Sequence, residues 1–395
     1  MIGERGPFAG LSRNTVLLAL ASLFSDIAAE MLYPVVPIFL TQTLRAGGGA
    51  VGLIEGVAVA TRNLAMGISG QVSDRLARRK PIALVGYALA AVAKPMTGLA
   101  VGWPAVLGAR FADRLGSGVR TAPRDALVAA SADPAHQGKA FGLEGAGDNA
   151  GAFIGPLLAV ALISLAAAPL RWIFFLSAVP GIIAFCLVVL VKEPSVAMPP
   201  KATLDVAPAR FSLAWRRYLL ATALFGLGKS GNAFLILRAN ELGLSLIDTI
   251  LVYAGYNLLA ALISYPAGAL SDRFGRRNLV IAALCIFAVS YCGFALSRSP
   301  LVVSALFVLL GAHQGVYRTA GKALASDLSP PALRAGGIGW FSAVGGLCAL
   351  VAALVAGQLW DHHLRGVVFV IGAVGAAAGA AALALLVGAR EVAEA

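Results

Sequence analysis

Charge is scarce in this sequence. Charged residues make up 13% of the 395 positions, against roughly 25% in an ordinary soluble domain. Hydrophobic residues make up 59%, which is more apolar surface than a soluble core can bury. The segment 172–191 carries no charge at all, and about twenty such residues span one bilayer. The low charge therefore excludes an ordinary soluble enzyme and predicts a polytopic membrane protein.

The sequence also has little that could support catalysis. Its four cysteines lie in apolar stretches and show neither a disulfide framework nor a metal-ligand spacing. A phosphate loop of the Gly-x-x-x-x-Gly-Lys type is missing. The pair His362-His363 beside Asp361 is a weak metal signal, and solvation in a loop explains it better. We expect no enzyme activity, no cofactor and no metal site, so energy must come from an ion gradient or from the substrate's own gradient.

Hydrophobic runs separated by charge, glycine and proline predict twelve membrane-spanning helices. These spans, numbered 1 to 12 below, cover residues 14–42, 50–70, 81–100, 104–128, 138–160, 170–191, 216–238, 248–270, 279–297, 301–325, 335–360 and 366–389. The net charge of +12 comes from basic residues that gather in short loops. Such loops face the cytoplasm, so both termini are expected there. Basic residues are not interleaved with aromatics on one face, so no nucleic-acid partner is expected.

A break in composition divides the chain. Residues 193–215 are polar, basic and proline-bearing, and they predict a cytoplasmic linker. The linker separates residues 1–192 from residues 216–395, and each part contains six spans.

The two parts share an internal repeat. Residues 70–79 read GQVSDRLARR, and residues 268–277 read GALSDRFGRR, displaced by 198 positions. The tripeptide Arg-Thr-Ala at 120–122 recurs at 318–320 with the same displacement. Two motifs with one displacement indicate parallel repeats, which in transporters are related by an axis along the membrane normal with the substrate path at their interface.

The loop Gly70-x-x-Ser-Asp-Arg-x-x-Arg-Arg-Lys80, repeated from Gly268, resembles the loop signature of the major facilitator superfamily. The first copy departs from it at Ala77, where glycine is usual. The sequence Gly151-x-x-x-Gly155-Pro156 is similar to a motif of the antiporter branches. The resemblance spans nearly the whole chain. It implies an all-α membrane fold of two pseudo-symmetric six-helix bundles, in a branch of bacterial drug or metabolite antiporters.

The signature loops suggest a gate on the cytoplasmic side. A carboxylate just beyond a helix end, Asp74 or Asp272, can accept hydrogen bonds from a neighbouring helix N-terminus in one global state. The flanking arginines can pair with acidic groups or lipid phosphates, or they can serve only as topology anchors. The gating candidates are Gly70, Asp74, Arg75, Arg79, Gly268, Asp272, Arg273 and Arg277.

Carboxylates at membrane depth are candidates for proton coupling, because a buried charge is costly unless it has a function or a partner. Asp26 and Glu30 are four residues apart on one face of span 1, and their mutual repulsion favours keeping a proton on one of them. The candidates are Asp26, Glu30, Asp113, Glu144 and Asp148. The alternative is that arginines of spans 4 and 5 neutralise these acids in a structural lock.

Two basic pairs suggest an anionic group in the substrate. Arg120 and Arg124 on span 4 correspond through the repeat to Arg318 and Lys322 on span 10, and guanidinium groups pair well with carboxylate or phosphate. The alternative is that the arginines pair with acids such as Glu144. The resemblance implies that spans 1, 4, 7 and 10 line the cavity. The further cavity candidates are Tyr33, Asn149, Lys229, Asn232, Tyr256, Asn257, Gln314 and Tyr317.

The leading hypothesis is a secondary active transporter of the inner membrane that exports a small organic compound by alternating access, coupled to protons or another cation. The first alternative is an importer or uniporter of a small anionic metabolite or metal chelate. The second is a lipid flippase or a membrane receptor that does not transport. In each case we expect a multi-pass monomer whose partners are the bilayer and a small molecule.

Overall fold

A computed structural model describes residues 11–76, 78–132, 137–165, 169–193, 211–330 and 333–388. Those residues form helices and connecting turns, with no strand among them, so the predicted all-α fold is confirmed. In the first part of the chain the helices are α1 (Arg13–Glu30), α2 (Val35–Ile38), α3 (Gly48–Leu76), α4 (Arg79–Leu99), α5 (Trp103–Ser131), α6 (Gln137–Ser164), α7 (Leu170–Leu176) and α8 (Ala178–Val189). In the second part they are α9 (Leu213–Gly228), α10 (Asn232–Glu241), α11 (Leu246–Phe274), α12 (Arg276–Leu296), α13 (Pro300–Asp327), α14 (Arg334–Asp361) and α15 (Arg365–Leu386).

These helices supply the predicted membrane crossings. Within the described ranges, eleven helical segments are long and apolar enough to cross a membrane. The twelfth predicted span is α5, which carries more charged residues than such a segment normally holds. The chain is therefore a multi-pass membrane protein.

Three crossings that the sequence predicted as single helices are interrupted. Span 6 is interrupted at Ser177, between α7 and α8. In span 1, α1 ends at Glu30 and α2 begins directly after Pro34, followed by a π-helical turn over Phe39–Thr43. In span 7, α9 ends at Gly228 and α10 begins at Asn232, after Gly231 with φ of 92°. Proline removes a backbone donor, and a positive φ suits glycine, so the interruptions in spans 1 and 7 have a local cause.

The helices form two compact units. The first unit comprises Met1–Phe39 and Thr61–Ala202, and the second comprises Leu40–Ala60 and Thr203–Ala395. Helix α3 therefore contributes its beginning to the second unit and its end to the first. The predicted linker falls largely on residues 194–210, which lie outside the described part of the chain, and the predicted boundaries stay a prediction.

The repeat is visible in the helix lengths. Helices α3 and α11 both have 29 residues, α4 and α12 both have 21, and α6 and α14 both have 28. The helix pattern of the second part of the chain thus repeats that of the first part.

Glycines allow close helix packing in the first unit. A Cβ added at Gly147 would lie 2.5 Å from the Ala19 carbonyl oxygen, and one at Gly151 would lie 2.5 Å from the Leu23 carbonyl oxygen. Small residues let helix backbones approach in this way within membranes. The face of α6 that carries its two acidic residues is therefore held against α1.

The start of α3 packs against α14 in the second unit. The backbone N–H groups of Gly48 and Gly49 donate to the two carboxylate oxygens of Asp361, at 2.5 and 2.8 Å. One turn further, a side chain at Gly52 would collide with the Ala353 carbonyl oxygen. A capped helix N-terminus and a glycine contact therefore fix residues 48–60 in this unit.

Candidate functional site

Arg124 is the centre of an ionic network in the first unit. Its Nη1 lies 2.8 Å from Glu144 Oε1 and donates to Ser22 Oγ at 2.8 Å. Its Nη2 donates to Asp125 at 2.8 Å, and Asp148 lies 3.5 Å from Nη1. The Ser22 hydroxyl donates to Glu144 at 2.8 Å. One guanidinium thus joins α1, α5 and α6 through three carboxylates and a hydroxyl.

Arg120, one turn earlier on α5, is held more loosely. Its Nη2 lies 3.8 Å from Asp26 Oδ1, and its guanidinium carbon lies 4.6 Å above the Tyr87 ring. Arg120 is 5% exposed, yet its Nε and Nη1 have no hydrogen-bond partner. Buried guanidinium N–H groups without partners are costly, so this arginine has capacity for another acceptor.

The acids of α1 and α6 influence one another. The charges of Asp148 and Glu30 both act on Asp26, together with that of Arg120. Glu30 is the last residue of α1, directly before the interruption of span 1. Four predicted proton-coupling candidates (Asp26, Glu30, Glu144 and Asp148) are therefore linked electrostatically within one unit.

Asp113, the fifth candidate, lies in a different environment. Lys94 Nζ is 2.8 Å from its Oδ1, Arg110 Nη1 is 3.2 Å from its Oδ2, and Arg114 completes the set. The carboxylate is 2% exposed. An acid held by three cations resembles a structural ion pair more than a site that exchanges protons.

The described residues of the second unit include a buried aromatic cluster. The Phe225 ring lies 5.0 Å from Phe287, 5.5 Å from His313 and 5.0 Å from Tyr317, measured between ring centroids. Lys229 Nζ lies 5.9 Å from the Phe225 centroid. Lys229 and Tyr317, two of the predicted cavity residues, therefore share one cluster.

His313 was missed by the sequence analysis. It is 2% exposed, and its Nδ1 lies 2.8 Å from the Ala283 carbonyl oxygen. A carbonyl only accepts, so Nδ1 carries the hydrogen, and Nε2 has no partner. Its position one turn before Tyr317 on α13 was the available signal.

The other predicted cavity residues are distributed over several elements. Tyr33 is in the turn between α1 and α2, Asn149 is on α6, and Asn232 is the first residue of α10. Tyr256 is buried on α11, where its ring stacks on that of Tyr253, and Asn257 follows it. Gln314, Arg318 and Lys322 are on α13, and the two basic side chains are exposed.

The gating candidates are partly described. Arg79 Nη1 donates to the Ala126 carbonyl at 3.2 Å, and Arg276 Nη1 donates to the Ala323 carbonyl at 3.3 Å. The structure therefore makes Arg276, one residue before the predicted Arg277, the counterpart of Arg79. Arg277 donates to the Ala384 carbonyl at 2.6 Å instead. A Cβ added at Gly70 would lie 3.2 Å from the Cβ of Ala122. The guanidinium carbon of Arg273 lies 5.4 Å from the centroid of the Phe274 ring.

The acidic gating candidates lie inside helices, not beyond their ends as predicted. Asp74 is within α3, and Gly268 and Asp272 are within α11. The side chains of Asp74, Arg75 and Asp272 lie outside the described part of the molecule. The start of α4 is instead capped by Glu193, which accepts from the backbone N–H of Arg79 at 2.8 Å.

Three further residues were missed by the sequence analysis. Ser22 is one turn before Asp26 on α1, and this spacing was a usable signal. The sequence contained no comparable signal for Tyr87 or Glu55. Among the residues the structure describes, no group of three or more His, Cys, Asp or Glu side chains could hold a metal ion.

Comparison with known proteins assigns the family. The model described as Major Facilitator Superfamily matches residues 18–227 and 218–395. The chain belongs to the major facilitator superfamily (MFS). It is 33% identical over 358 residues to an uncharacterized MFS-type transporter of Methanocaldococcus jannaschii, with 89% of each chain covered. It is 26% identical over 328 residues to the multidrug resistance protein MdtG of Escherichia fergusonii, with 79% of each chain covered.

A solved structure supports the MFS fold. The crystal structure of the nucleoside transporter NupG is similar, with a TM-score of 0.75 and 13% sequence identity. The match covers 95% of this chain and 99% of that chain. At this identity the likeness concerns the fold alone. MFS proteins bind small molecules and transport them, and they are not enzymes. The chain is thus an MFS transporter.

Proposed function

We propose that this MFS transporter exports a small organic compound across the inner membrane by alternating access, and that protons moving inward drive the export. The chain acts as a monomer in this proposal. The similarity to the multidrug resistance protein MdtG is consistent with export. In this proposal the transported compound and the proton bind to the transporter and leave it in alternation.

The observation that carries this proposal is the shared use of two arginines by three candidate proton-coupling acids in the first unit. Asp26 faces Arg120 at 3.8 Å, while Glu144 and Asp148 face Arg124 at 2.8 and 3.5 Å. A proton arriving on one carboxylate removes its attraction for the arginine and redistributes the remaining pairs. Coupled acids of this kind can therefore load and release a proton as a group.

The Arg120 pair is the part of the network best suited to switching. Its long distance to Asp26 and its two N–H groups without partners make it the weaker of the two arginine sites. Protonation of Asp26 would leave Arg120 without its acidic partner, so another helix arrangement would become more favourable. A bias of this kind on two global states is what coupling requires.

Proton-driven flux in proteoliposomes tests this proposal. A pH gradient is imposed on the proteoliposomes, and a pH-sensitive dye reports its size. Addition of a transported compound should collapse this gradient. We expect Asp26→Asn and Glu144→Gln to abolish this dye response while counterflow of the compound without a gradient continues. The matched control is Asp248→Asn, an exposed acid in the first turn of α11.

A contrary result would be a full dye response in Asp26→Asn or Glu144→Gln protein that is folded and monodisperse. A pH gradient that has no effect on flux in the native protein would equally refute proton coupling.

A second candidate function is import or uniport of a small anion. The two Arg120 N–H groups without partners favour it, because an anionic ligand would satisfy them. In this case Arg120→Gln should weaken binding of the anion at least tenfold, whereas Arg318→Gln on the exposed face of α13 should weaken it less. Equal binding by native protein and Arg120→Gln would reject this candidate.

A further inference from the structure

The interruption between α9 and α10 has the features of an anion site. It lies in the middle of the crossing formed by Leu213–Glu241. Helix α10 has ten residues, and Gly231 at its N-cap offers no side-chain cap. Interrupted helices in transporters point such N-termini at anionic groups of the substrate. Lys229 places an amino group two residues before Gly231.

A carboxylate of the protein already lies at this interruption. A Cβ at Gly231 would be 3.1 Å from Glu55 Cγ and 3.3 Å from Glu55 Oε1. The charge of Glu55 also acts on Lys229. Glu55 is on the beginning of α3, which belongs to the same unit as α9 and α10. One carboxylate thus occupies the position where the helix N-terminus and the ammonium group favour an anion.

His313 supplies an independent observation beside Lys229. The charge of Lys229 acts on His313, and both residues lie against the Phe225 ring. The buried Nε2 of His313 has no partner. In the neutral ring with hydrogen on Nδ1, Nε2 is an acceptor. A hydroxyl group of a bound molecule would satisfy it, and the neighbouring rings would pack against a planar scaffold.

We propose that the interruption between α9 and α10 binds the carboxylate of a small aromatic acid, in exchange for the carboxylate of Glu55. Lys229 pairs with the acid group, and His313 accepts a hydrogen bond from a hydroxyl on the ring. The inference rests on the proposed transport function and names the class of substrate. Exchange also removes one contact between residues 48–60 and α10, so ligand binding loosens the start of α3.

Competition between Glu55 and the ligand gives the test its direction. The probe is 4-hydroxybenzoate, titrated calorimetrically into the purified full-length protein in detergent without a gradient. We expect Glu55→Gln to raise its affinity about tenfold, because the competing charge is lost, and Lys229→Gln to lower it at least tenfold. Glu55→Asp, with a shorter carboxylate, should give an intermediate gain if Glu55→Gln fails to fold. Asp248→Asn is the control and should match the native protein.

Matched ligands test the chemical class. The neutral isostere 4-hydroxybenzamide should bind at least tenfold more weakly than the acid. Benzoate, which lacks the hydroxyl, should bind to the native protein about fivefold more weakly than 4-hydroxybenzoate does. In His313→Phe the two acids should bind with equal affinity. An unchanged ratio in His313→Phe overturns the role of His313.

Three results would overturn the proposal: an unchanged or lower affinity in folded Glu55→Gln, equal binding of acid and amide, or no binding of either acid by native protein and both Glu55 variants. These measurements need no gradient. Proton coupling can therefore fail in the dye assay while carboxylate exchange holds, and the reverse outcome is equally distinguishable.

Discussion

The two units of this transporter have matching helices but different buried polar groups. In the first unit the fully buried polar side chains include two acids and four cations: Asp113, Glu144, Lys94, Arg110, Arg120 and Arg124. Among the described residues of the second unit, the fully buried polar side chains are serines, threonines and His313. Duplication kept the helix lengths, while the polar interior of each copy changed independently.

The difference is clearest at positions related by the repeat. Arg120 and Arg124 are buried against acids, whereas Arg318 and Lys322, which the sequence repeat pairs with them at a displacement of 198, are exposed. The contacts of Arg79 with Ala126 and of Arg276 with Ala323 are displaced by 197, so the basic pair of α13 lies one residue out of register with that of α5. One residue is about 100° around a helix, so similar charges lie in different surroundings. A buried charge depends on its partners for stability, but an exposed one does not. This contrast supports assigning proton coupling to the first unit and ligand binding to the second.

The largest expected effect comes from removing the centre of the ionic network. Arg124→Met leaves Glu144 and Asp148 without their shared cation, and we expect a loss of about 3–5 kcal/mol in the free energy of unfolding. Denaturant titration of purified protein in micelles measures this loss.

Lys322→Met, at the position that the sequence repeat pairs with Arg124, is the control and should change the free energy of unfolding by less than about 0.5 kcal/mol. Equal losses in the two variants would contradict the contrast between a buried network and an exposed basic pair.

A smaller effect is expected from the glycine contacts that assemble the network. A methyl group added in Gly151→Ala would meet the Leu23 carbonyl oxygen at 2.5 Å and Asp26 Cβ at 2.8 Å. We expect a loss of about 2 kcal/mol, because α1 and α6 must separate. The thermal midpoint in detergent and the dye response should both fall.

Gly145→Ala on the same helix is the matched control, since an added Cβ there meets nothing within 4 Å. It should keep or raise the thermal midpoint, because alanine favours the helix by up to about 1 kcal/mol. A loss in Gly145→Ala as large as that in Gly151→Ala would show that the close contact with α1 is unimportant.

The sequence was sufficient to predict the membrane fold, because bilayer thickness sets the length of each apolar run. It was not sufficient for the interruptions at Pro34 and Gly231. A proline or glycine within a crossing is compatible with a continuous or a broken helix, and the neighbouring helices decide between them. The interruption in span 7, with Lys229 at its edge, therefore emerged only from the structure.

The candidate site was predictable in part for a similar reason. The four-residue spacing of Asp26 and Glu30, and of Glu144 and Asp148, placed each pair on one helix face. Which arginine each acid meets depends on the depth at which α1 and α6 pack against α5, and periodicity does not contain that depth. Asp113 illustrates the limit, because Arg110 and Arg114 lie beside it on α5, whereas Lys94 reaches it only through the packing of α4 against α5.

The smallest expected effect compares two buried hydroxyl groups, one in each unit. Ser22 bridges Glu144 and Arg124 at 2.8 Å to each, whereas the Ser290 hydroxyl on α12 is buried with no hydrogen-bond partner. Ser22→Ala should cost about 1 kcal/mol, because it removes bonds to charged groups that keep other partners. Ser290→Ala should be neutral or stabilising, because it removes an unsatisfied polar group. Denaturant titration of both variants would reveal opposite signs if the first unit depends on its polar interior and the second does not.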